Sequence, residues 1–543
     1  MNNPRRLPIS TQNFKQLRRD GDLYVDKTQY IEKLFSLGRI FFLSRPHRFG
    51  KSLFLSTLKA YFEGKKELFQ GLYIAAHEEE IARRQQREQW EASPVLYFDF
   101  NAKDYENRDT LKKRMNAQLR ELEKHYEITK EDDDPDDRLI YLIQTIYEKT
   151  GKQVVILIDE YDKPLLETVD DEALNKANRS LLKAFYEVIK QCDEYIRFAF
   201  LTGITKFSKT TLFSGVNNLI DITLLDEYDA ICGFTEEELT AYLSPEIEKL
   251  AKQNHSTIEE TRARLKKEYD GYCFAEEGEQ VYNPYSLLKV LATSKYKYYW
   301  FENATPSYLV KYLRRTQIFM PDLEAELLLD EGSLQDFRYN DDDSVIPLLF
   351  QSGYLTIQKY LSEEQIYQLG YPNEEVRFGF LQELLPLYVN IRRDDVRATV
   401  LKLYRALQSG DIADAMKHIS AILAGIIYGN IPNGEQGRPL REQYYQSVLY
   451  AVFRLLGIYA QAEVVCATGR IDMLVTTRQH VYIFEFKVDT QGSAQDAIDQ
   501  IKDREYFHTV RAEGRPVHLV GVSFDEKARN IGEWKEEVLV LER

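Results

Sequence analysis

Short apolar segments, each separated from the next by a helical pattern, recur through the first 240 residues and limit the fold more than any other feature. They lie at 39–44, 94–100, 154–159, 196–202 and 219–223. The third, Val-Val-Ile-Leu-Ile-Asp, is almost continuously apolar, as a parallel strand is when helices cover both faces of its sheet. The sequence therefore predicts a doubly wound α/β domain with a five-stranded parallel sheet.

The segment between the first strand and a predicted helix at 51–62 has the composition of a phosphate-binding loop. It differs from GxxxxGK[ST] because Arg45 replaces the first glycine. Backbone N–H groups at a helix start bind phosphates, Lys51 adds positive charge, and the Ser52 hydroxyl can hold Mg²⁺. The alternative is a chance Gly-Lys-Ser. The predicted nucleotide-binding residues are Arg45, Pro46, His47, Arg48, Phe49, Gly50, Lys51 and Ser52.

Two acids end the third predicted strand, at the same edge of the sheet as the loop. Asp159 is the predicted Mg²⁺ ligand beside Ser52, as in P-loop enzymes. Glu160 is predicted to orient the attacking water. The alternative is that two acids end a strand in a polar loop.

Five stretches together resemble the bacterial and archaeal AAA-ATPase-like family that is fused to a PD-(D/E)XK nuclease-like domain. They are Leu-Tyr-Val-Asp-Lys-Thr at 23–28, Ser-Arg-Pro-His-Arg-Phe-Gly-Lys-Ser at 44–52, Leu-Ile-Asp-Glu-Tyr-Asp-Lys-Pro at 157–164, Leu-Thr-Gly-Ile-Thr-Lys-Phe-Ser at 201–208 and Tyr-Asn-Pro at 282–284. The arginine that opens the loop is typical of that family. The resemblance implies an AAA-like core that uses ATP and Mg²⁺.

The resemblance also implies a sensor at the end of the fourth strand, where Thr202 is the matching residue. Its hydroxyl would contact the attacking water or the γ-phosphate; a threonine that caps a strand end is the alternative. Lys206 and Arg48 are candidates for stabilising the transition state. Residues 26–28 are candidates for lining the adenine or ribose pocket.

Near the C-terminus, an acid and a lysine lie two residues apart in the apolar segment Val-Tyr-Ile-Phe-Glu-Phe-Lys at 481–487. Strand side chains alternate, so Glu485 and Lys487 point the same way, and burying them without a partner is costly. Asp472, on the preceding strand, would lie beside Glu485. These two carboxylates and the backbone carbonyl of Phe486 can hold Mg²⁺ or Mn²⁺. The metal would activate water, while Lys487 would neutralise charge on the phosphate. The alternative is a cross-strand ion-pair cluster.

An aspartate followed by Glu-x-Lys on the next strand resembles the PD-(D/E)XK pattern. The resemblance implies a C-terminal α/β domain like that of restriction endonucleases, in which these three residues are catalytic. It extends to Gln500 and Tyr506 on the following helix. Glu442 matches an additional acid, with Glu463 as a less favoured substitute. Ile471 stands where the family commonly has proline.

The predicted domains are a P-loop AAA-like ATPase core at 1–234, a helical lid at 235–310, a winged-helix-like and helical connector at 311–428, and a PD-(D/E)XK nuclease-like domain at 429–543. A capped helix start at Thr235 opens the lid, and a glycine- and proline-rich linker at 428–438 precedes the last domain. The wing would be a hairpin with arms at 354–357 and 365–369. Winged helices dock on DNA or act as spacers.

The net charge of −16 argues against a whole surface that coats nucleic acid. Residues 429–543 are closer to neutral, with 14 Lys and Arg against 17 Asp and Glu, which permits a groove that follows phosphates. No apolar run reaches the roughly 18 residues of a membrane span. Four scattered cysteines form no zinc knuckle or disulfide framework. These features predict a cytoplasmic protein that lies outside the membrane.

Together, the two motifs predict an enzyme that binds and hydrolyses ATP and couples it to a Mg²⁺-dependent nuclease acting on DNA. The alternative is a nucleotide-gated switch whose nuclease-like domain holds nucleic acid or a protein without cutting. AAA-type sites often borrow an arginine from a neighbouring subunit. The sequence identifies none, so a homo-oligomer stays an open option.

Overall fold

The structure of the chain is a computed structural model. It describes the residues other than 1–5, 10, 102–104, 106, 108, 131–133, 207–211, 214, 217, 304–306, 317–326, 336–344, 428–436, 458–460, 468–469, 489–491, 504–514, 526 and 540–543. For 302–303, 307, 311, 314–316, 335, 437–446, 461–467, 470–472 and 488 it describes the backbone alone. The chain divides into two compact units. One comprises Met1–Thr316 and Glu326–Val376; the other comprises Gln317–Ala325 and Arg377–Arg543.

A five-stranded parallel sheet forms the centre of the first unit. Its strands are β1 (Ile40–Ser44), β2 (Val95–Asp99), β3 (Val154–Asp159), β4 (Ile196–Gly203) and β5 (Ile220–Asp221). They lie in the order β2-β3-β4-β1-β5, and each neighbouring pair is parallel. Every residue of β1 and β3 is buried, so the apolar runs belong to central strands. The predicted parallel sheet is confirmed.

Helices surround this sheet. They are α1 (Phe14–Asp20), α2 (Gln29–Leu37), α3 (Lys51–Phe62), α4 (Tyr73–Arg84), α5 (Thr110–His125), α6 (Pro135–Thr150), α7 (Lys163–Leu166) and α8 (Glu172–Gln191), with 3-10 turns at Lys66–Phe69, Asp193–Tyr195 and Asp226–Ile231. Local signals set several ends: Pro135 opens α6 and Gly151, at φ 66°, closes it. The Asp171 side chain accepts a hydrogen bond from Leu174 N at the start of α8.

A group of helices follows the sheet, where the lid was predicted. It contains α9 (Glu236–Gln253), α10 (Ile258–Tyr269), α11 (Pro284–Thr293), a 3-10 turn at Tyr299–Asn303 and α12 (Ser307–Thr316). Thr235 and Glu238 form a capping box at the start of α9, as the sequence indicated. Leu243, Leu265 and Leu287 meet in a buried core, which Leu23 from before the sheet also joins.

The rest of the first unit is a helix-and-hairpin region. It contains β6 (Leu327–Asp330), α13 (Glu331–Gln335), α14 (Val345–Gln351), β7 (Thr356–Leu361) and β8 (Ile366–Gly370), and its antiparallel sheet has the order β6-β8-β7. The first hairpin arm was predicted at 354–357, but β7 begins at Thr356. Tyr354 and Leu355 are only 2% and 1% exposed, because this apolar run packs into the core before the strand begins.

A fully buried carboxylate lies at the start of the next helix, α15 (Glu374–Tyr388). Asn373 caps this helix by accepting a hydrogen bond from Val376 N, and its amide donates to Asp270 O. Glu375 is 0% exposed, and its Oε1 accepts a hydrogen bond from Trp300 N at 3.0 Å. Burial raises the pKa of Glu375 to about 8. The beginning of α15 therefore carries a site whose ionisation opposes folding.

Glu375→Gln is expected to remove a loss of stability between pH 5 and pH 8. The pKa of Glu375 is higher in the folded than in the unfolded state. The neutral carboxyl therefore contributes its full stability to the fold below about pH 4.5, and this stability is lost as pH rises towards 8. Urea unfolding should show wild type losing up to about 4 kcal/mol more than Glu375→Gln over this range. The neighbouring Glu374→Gln is the control. Equal losses in wild type and Glu375→Gln would contradict the expectation.

The second unit contains helices and a mixed sheet. Its elements are α16 (Arg393–Gln408), α17 (Ile412–Ala424), α18 (Gly437–Leu456), β9 (Gln461–Ala467), β10 (Arg470–Thr476), β11 (Val481–Val488), α19 (Ala494–Asp503), β12 (Val517–Asp525) and β13 (Asn530–Leu539). The order is β13-β12-β11-β10-β9, in which only β11 and β12 run parallel. The helix α19 connects these two strands, as a parallel pair requires. Strands β9 and β13 were not predicted.

Two predictions concern residues that the structure largely does not describe. Most of the linker at 428–438 lies outside the described residues, as does Tyr506. None of the helices in the described ranges is long and apolar enough to cross a membrane.

Candidate nucleotide site and candidate nuclease site

A cavity of about 380 Å³ opens at the edge of the sheet where the parallel strands end. The loop residues 47–52 and Glu160 form part of its lining. The rest of the lining is mostly apolar and includes Ile9, Leu23, Val25, Phe234, Pro284 and Leu288. A cavity of this size, with both polar and apolar walls, suits a small molecule with a charged and an uncharged part.

Lys51 contacts both the loop backbone and Glu160. It is 3% exposed, and its Nζ donates hydrogen bonds to Arg45 O at 2.9 Å and Pro46 O at 3.1 Å. The same ammonium lies 3.7 Å from Glu160 Oε1. Gly50, at φ 101°, lets the chain turn into α3 directly before this lysine. The loop thus folds around its lysine at a helix N-terminus, where anions are stabilised.

The Arg45 side chain is buried and does not line the cavity. Its side chain is 1% exposed and donates to the carbonyls of Ser44, Thr223 and Tyr228. Its guanidinium also lies 4.3 Å from the centre of the Phe274 ring, and burial lowers its pKa to about 10. Arg45 therefore holds the loop to the segment after β5 and is not part of the cavity wall.

Pro46 also lies outside the cavity wall. A Cβ placed on Gly353 would lie 2.6 Å from Pro46 Cβ, so this glycine permits the close packing. The six predicted loop residues from 47 to 52 do line the cavity. The structure thus divides the predicted loop into two anchoring residues and six that face the cavity.

Asp159 is 4% exposed and is not among the residues that line the cavity. It is hydrogen-bonded to the Ser52 side chain, and its Oδ1 accepts a hydrogen bond from Thr202 Oγ1 at 2.7 Å. Burial, and then repulsion by Glu160, raises the pKa of Asp159. Thr202 is fully buried and does not line the cavity. Its hydroxyl orients Asp159, so its effect on a nucleotide would pass through that carboxylate.

Glu160 follows Asp159 in a left-handed conformation, at φ 54°. This is uncommon for a residue with a side chain and concentrates at functional sites. Glu160 is 8% exposed, and within the described part of the chain its buried Oε2 has no hydrogen-bond partner. The Lys51 ammonium therefore interacts with two buried acids, Glu160 and Asp159. The Ser52 hydroxyl and the Asp159 carboxylate are oxygen ligands of the kind that Mg²⁺ takes, so the donor set fits this ion.

The other candidates near the loop have different roles. Burial, and then the charge of Lys51, lowers the pKa of His47 to about 3, so its imidazole is neutral near pH 7. Lys206 pairs with Asp221 on β5 and is not in the cavity wall. Its role in stabilising a transition state stays a prediction.

In the segment 26–28, only Lys27 lines the cavity. Its Nζ donates hydrogen bonds to Ala230 O and to Glu238, both at 2.7 Å. Asp26 accepts hydrogen bonds from Thr28 and from the N–H of Tyr73 at the start of α4. Asp26 and Thr28 are therefore structural.

Sequence reasoning missed Tyr285. It lines the cavity, and the Arg48 guanidinium carbon lies 3.7 Å from its ring centre. The available signal was Asn283 followed by Pro284, a cap and a first-turn proline, which places Tyr285 in the first turn of a helix. What the sequence did not show was that this turn faces the phosphate loop.

In the second unit, the register of β10 and β11 pairs Asp472 directly with Glu485, and Ile471 with Phe486. Residues directly opposite each other in an antiparallel pair lie on the same face of the sheet. Glu485 is 1% exposed. The side chains of Asp472, Glu463 and Glu442 are not among those described. The backbone thus brings the two predicted acids to adjacent positions.

The helix α19 covers this face closely. A Cβ on Gly521, which pairs with Glu485, would lie 2.0 Å from Ala494 O, so glycine is needed there. Lys487 Nζ donates a hydrogen bond to Gln500 Oε1 on α19. Gln500 therefore lies beside the predicted catalytic lysine.

Among the described side chains, no group of three or more His, Cys, Asp or Glu residues is placed to hold a metal ion. This finding does not include the side chain of Asp472, the first acid of the predicted centre. The remaining predicted donors, Glu485 and the carbonyl of Phe486, are oxygen ligands of the type that Mg²⁺ and Mn²⁺ bind. The donor set is chemically suited to either ion.

Comparison with known proteins identifies both parts of the chain. A family model described as a predicted AAA-ATPase matches residues 8–213, and one described as the PD-(D/E)XK nuclease superfamily matches residues 440–534. An uncharacterised protein in the vnfD 5′ region of Azotobacter chroococcum mcd 1 is 36% identical over 533 residues, which cover 97% of this chain and 98% of that protein. The chain belongs to this AAA-ATPase-like family.

Each matched range contains one of the two candidate sites. The AAA-ATPase-like range includes Lys51, Asp159 and Glu160, and the PD-(D/E)XK range includes Glu485 and Lys487. Among solved structures, the Aeropyrum pernix ORC2 protein in its ADPNP-ADP complexes matches with 10% identity and a TM-score of 0.23, over 66% of this chain and 89% of that one.

Proposed function

We propose that this protein binds and hydrolyses ATP with Mg²⁺, and that the ATPase controls a Mg²⁺- or Mn²⁺-dependent nuclease that cuts DNA in the cytoplasm. The domain division at residues 234, 310 and 428 belongs to the same proposal. The observation that supports the ATPase most is the convergence of Lys51, Asp159 and Glu160 at a helix N-terminus beside a cavity. The phosphates of a nucleotide and a Mg²⁺ ion match that combination of positive and negative groups.

In the proposed reaction, the N–H groups at the start of α3 and the Lys51 ammonium bind the phosphates, and the apolar lining residues of the cavity contact the base. Ser52 and Asp159 would hold Mg²⁺, which neutralises phosphate charge when bound. Glu160 orients a water molecule for attack on the terminal phosphate and accepts its proton. Thr202 keeps the Asp159 carboxylate in place through its hydrogen bond.

In the proposed nuclease, Asp472, Glu485 and the carbonyl of Phe486 would hold Mg²⁺ or Mn²⁺, which supplies an activated water when bound. Lys487 neutralises charge that develops on the scissile phosphate. Gln500 orients the Lys487 ammonium by accepting its hydrogen bond. The family match to the PD-(D/E)XK superfamily supports this assignment.

Lys51→Ala is expected to weaken ATP binding at least a hundredfold, because it removes the only cation that contacts both loop carbonyls and Glu160 in the described cavity wall. Isothermal titration calorimetry with ATP and Mg²⁺ measures the change. Lys59→Ala is the matched control, since Lys59 lies on the same helix outside the cavity. Unchanged affinity in Lys51→Ala would exclude the proposed site.

The nuclease is tested with labelled single- and double-stranded DNA and RNA, with and without ATP, Mg²⁺ and Mn²⁺. DNA cleavage is expected in wild type with metal and none in the Asp472→Ala, Glu485→Ala double variant. Undiminished cleavage by that variant would refute the assignment. ATP hydrolysis without any metal-dependent cleavage would favour the nucleotide-gated switch instead.

A further inference from the structure

Arg48 and Tyr285 join the phosphate loop to the helix α11. The Arg48 guanidinium carbon lies 3.7 Å from the centre of the Tyr285 ring, a cation–π distance, and both residues line the cavity. Asn283 Oδ1 accepts hydrogen bonds from Tyr285 N at 3.0 Å and Ser286 N at 3.1 Å, which fixes this first turn. Tyr285 is thus held in place from its own helix.

The hydrogen-bonding capacity of Arg48 is incompletely used. Its Nη1 is buried and, among the described residues, has no hydrogen-bond partner. An unpaired guanidinium N–H is costly unless an anion or another acceptor satisfies it. The backbone of Arg48 is also left-handed, at φ 67°, a conformation that non-glycine residues adopt at a cost. Both observations indicate a position that is built for a ligand.

Three positively charged side chains lie near His47, and Arg48 is one of them. The positive charges of Lys51, Lys163 and Arg48 all contribute to lowering the pKa of His47. Lys51 is paired with Glu160 and Lys163 lies 3.6 Å from Glu167. Among the described residues, Arg48 has an aromatic ring as its partner but no ion-pair partner. A phosphate oxygen would supply the acceptor and the opposite charge together.

We infer that Arg48 donates a hydrogen bond to a phosphate oxygen of the bound nucleotide and that Tyr285 is the positioning residue that holds its guanidinium there. This inference rests on the proposed ATP site and deepens it, because it assigns phosphate recognition to an arginine of the loop and a tyrosine of α11. Phosphate binding is thereby coupled to the position of α11 without a residue from another subunit.

The test compares affinities for ATP, tripolyphosphate and adenosine in variants of the full-length protein. Arg48→Ala should weaken the binding of ATP and of tripolyphosphate tenfold to a hundredfold, as expected for a charge-assisted hydrogen bond. The affinity for adenosine should stay within about twofold of wild type. Tyr285→Leu should weaken the binding of ATP and of tripolyphosphate about fivefold. Tyr285→Phe keeps the ring and should match wild type. Lys289→Ala removes the other cation near that ring, 5.6 Å from its centre, and should also match wild type.

The double variant separates positioning from a merely structural effect. If Tyr285 acts through Arg48, adding Tyr285→Leu to Arg48→Ala should cause no further loss of affinity for tripolyphosphate. Additive losses would overturn the positioning role, and unchanged tripolyphosphate affinity in Arg48→Ala would overturn the phosphate contact. If Arg48→Ala misfolds by circular dichroism, Arg48→Lys and Tyr285→Leu decide, since both must lose affinity. Wild-type protein that binds no ATP would instead refute the proposed function itself.

Discussion

Glu160→Gln is expected to slow ATP hydrolysis by about 10²–10⁴-fold while ATP still binds. General-base groups contribute a factor of this size, and an amide cannot accept the proton. Glu160 faces the cavity with a buried carboxylate oxygen that has no partner among the described residues. Single-turnover hydrolysis and calorimetric ATP binding, measured on the same preparation, separate the two effects.

The matched control for this experiment is Glu167→Gln. Glu167 follows α7 and lies 3.6 Å from Lys163, away from the cavity wall. It should hydrolyse ATP at the wild-type rate. If Glu160→Gln hydrolyses ATP as fast as this control, another group activates the water and the assignment of Glu160 fails. Loss of binding together with hydrolysis would point to collapse of the Lys51 pair instead.

Lys487→Ala is expected to slow metal-dependent DNA cleavage by about 10²–10³-fold, the usual cost of removing one group that stabilises transition-state charge. ATP hydrolysis should stay within about twofold of wild type, because the two candidate sites belong to different compact units of the chain. Gel-based cleavage and phosphate release, assayed in parallel, measure both quantities.

Lys502→Ala is the control for Lys487→Ala. Lys502 lies on the same helix as Gln500 but pairs with Glu537 at the surface, 2.5 Å away. Its cleavage rate should match wild type. A Lys487→Ala protein that still cuts at the control rate would show that this lysine is not part of the nuclease. Equal losses in both variants would indicate a general effect of charge on DNA binding.

Much of the fold could be predicted because its strands differ sharply from their surroundings. Strands β1 and β3 are apolar at nearly every position and are buried throughout. Strand β13 was missed because it is an edge strand, with the sequence Asn-Ile-Gly-Glu-Trp-Lys-Glu-Glu-Val-Leu and mostly exposed or half-buried residues. Charges on an edge strand discourage further pairing and erase the apolar signal.

The candidate site was less accessible to sequence reasoning, since several contacts join residues far apart in the chain. Arg45 and Thr223 are 178 residues apart, and no local pattern relates them. Arg48 and Tyr285 are likewise brought together only by the fold. The acids Asp159 and Glu160 at the end of β3 were identifiable because strand ends in a parallel sheet share one edge, which is a property of topology.

The arginine at position 45 has a consequence for engineering by consensus. Restoring the glycine of the common P-loop pattern would remove the side chain that ties Ser44, Thr223 and Tyr228 together through their carbonyls. The backbone at 45 would gain freedom, while the left-handed turns at Arg48 and Gly50 would stay as they are. Replacing Arg45 by glycine to match the consensus is therefore expected to destabilise this loop. Sequence patterns that require the first glycine will not detect proteins whose loop begins with such an arginine.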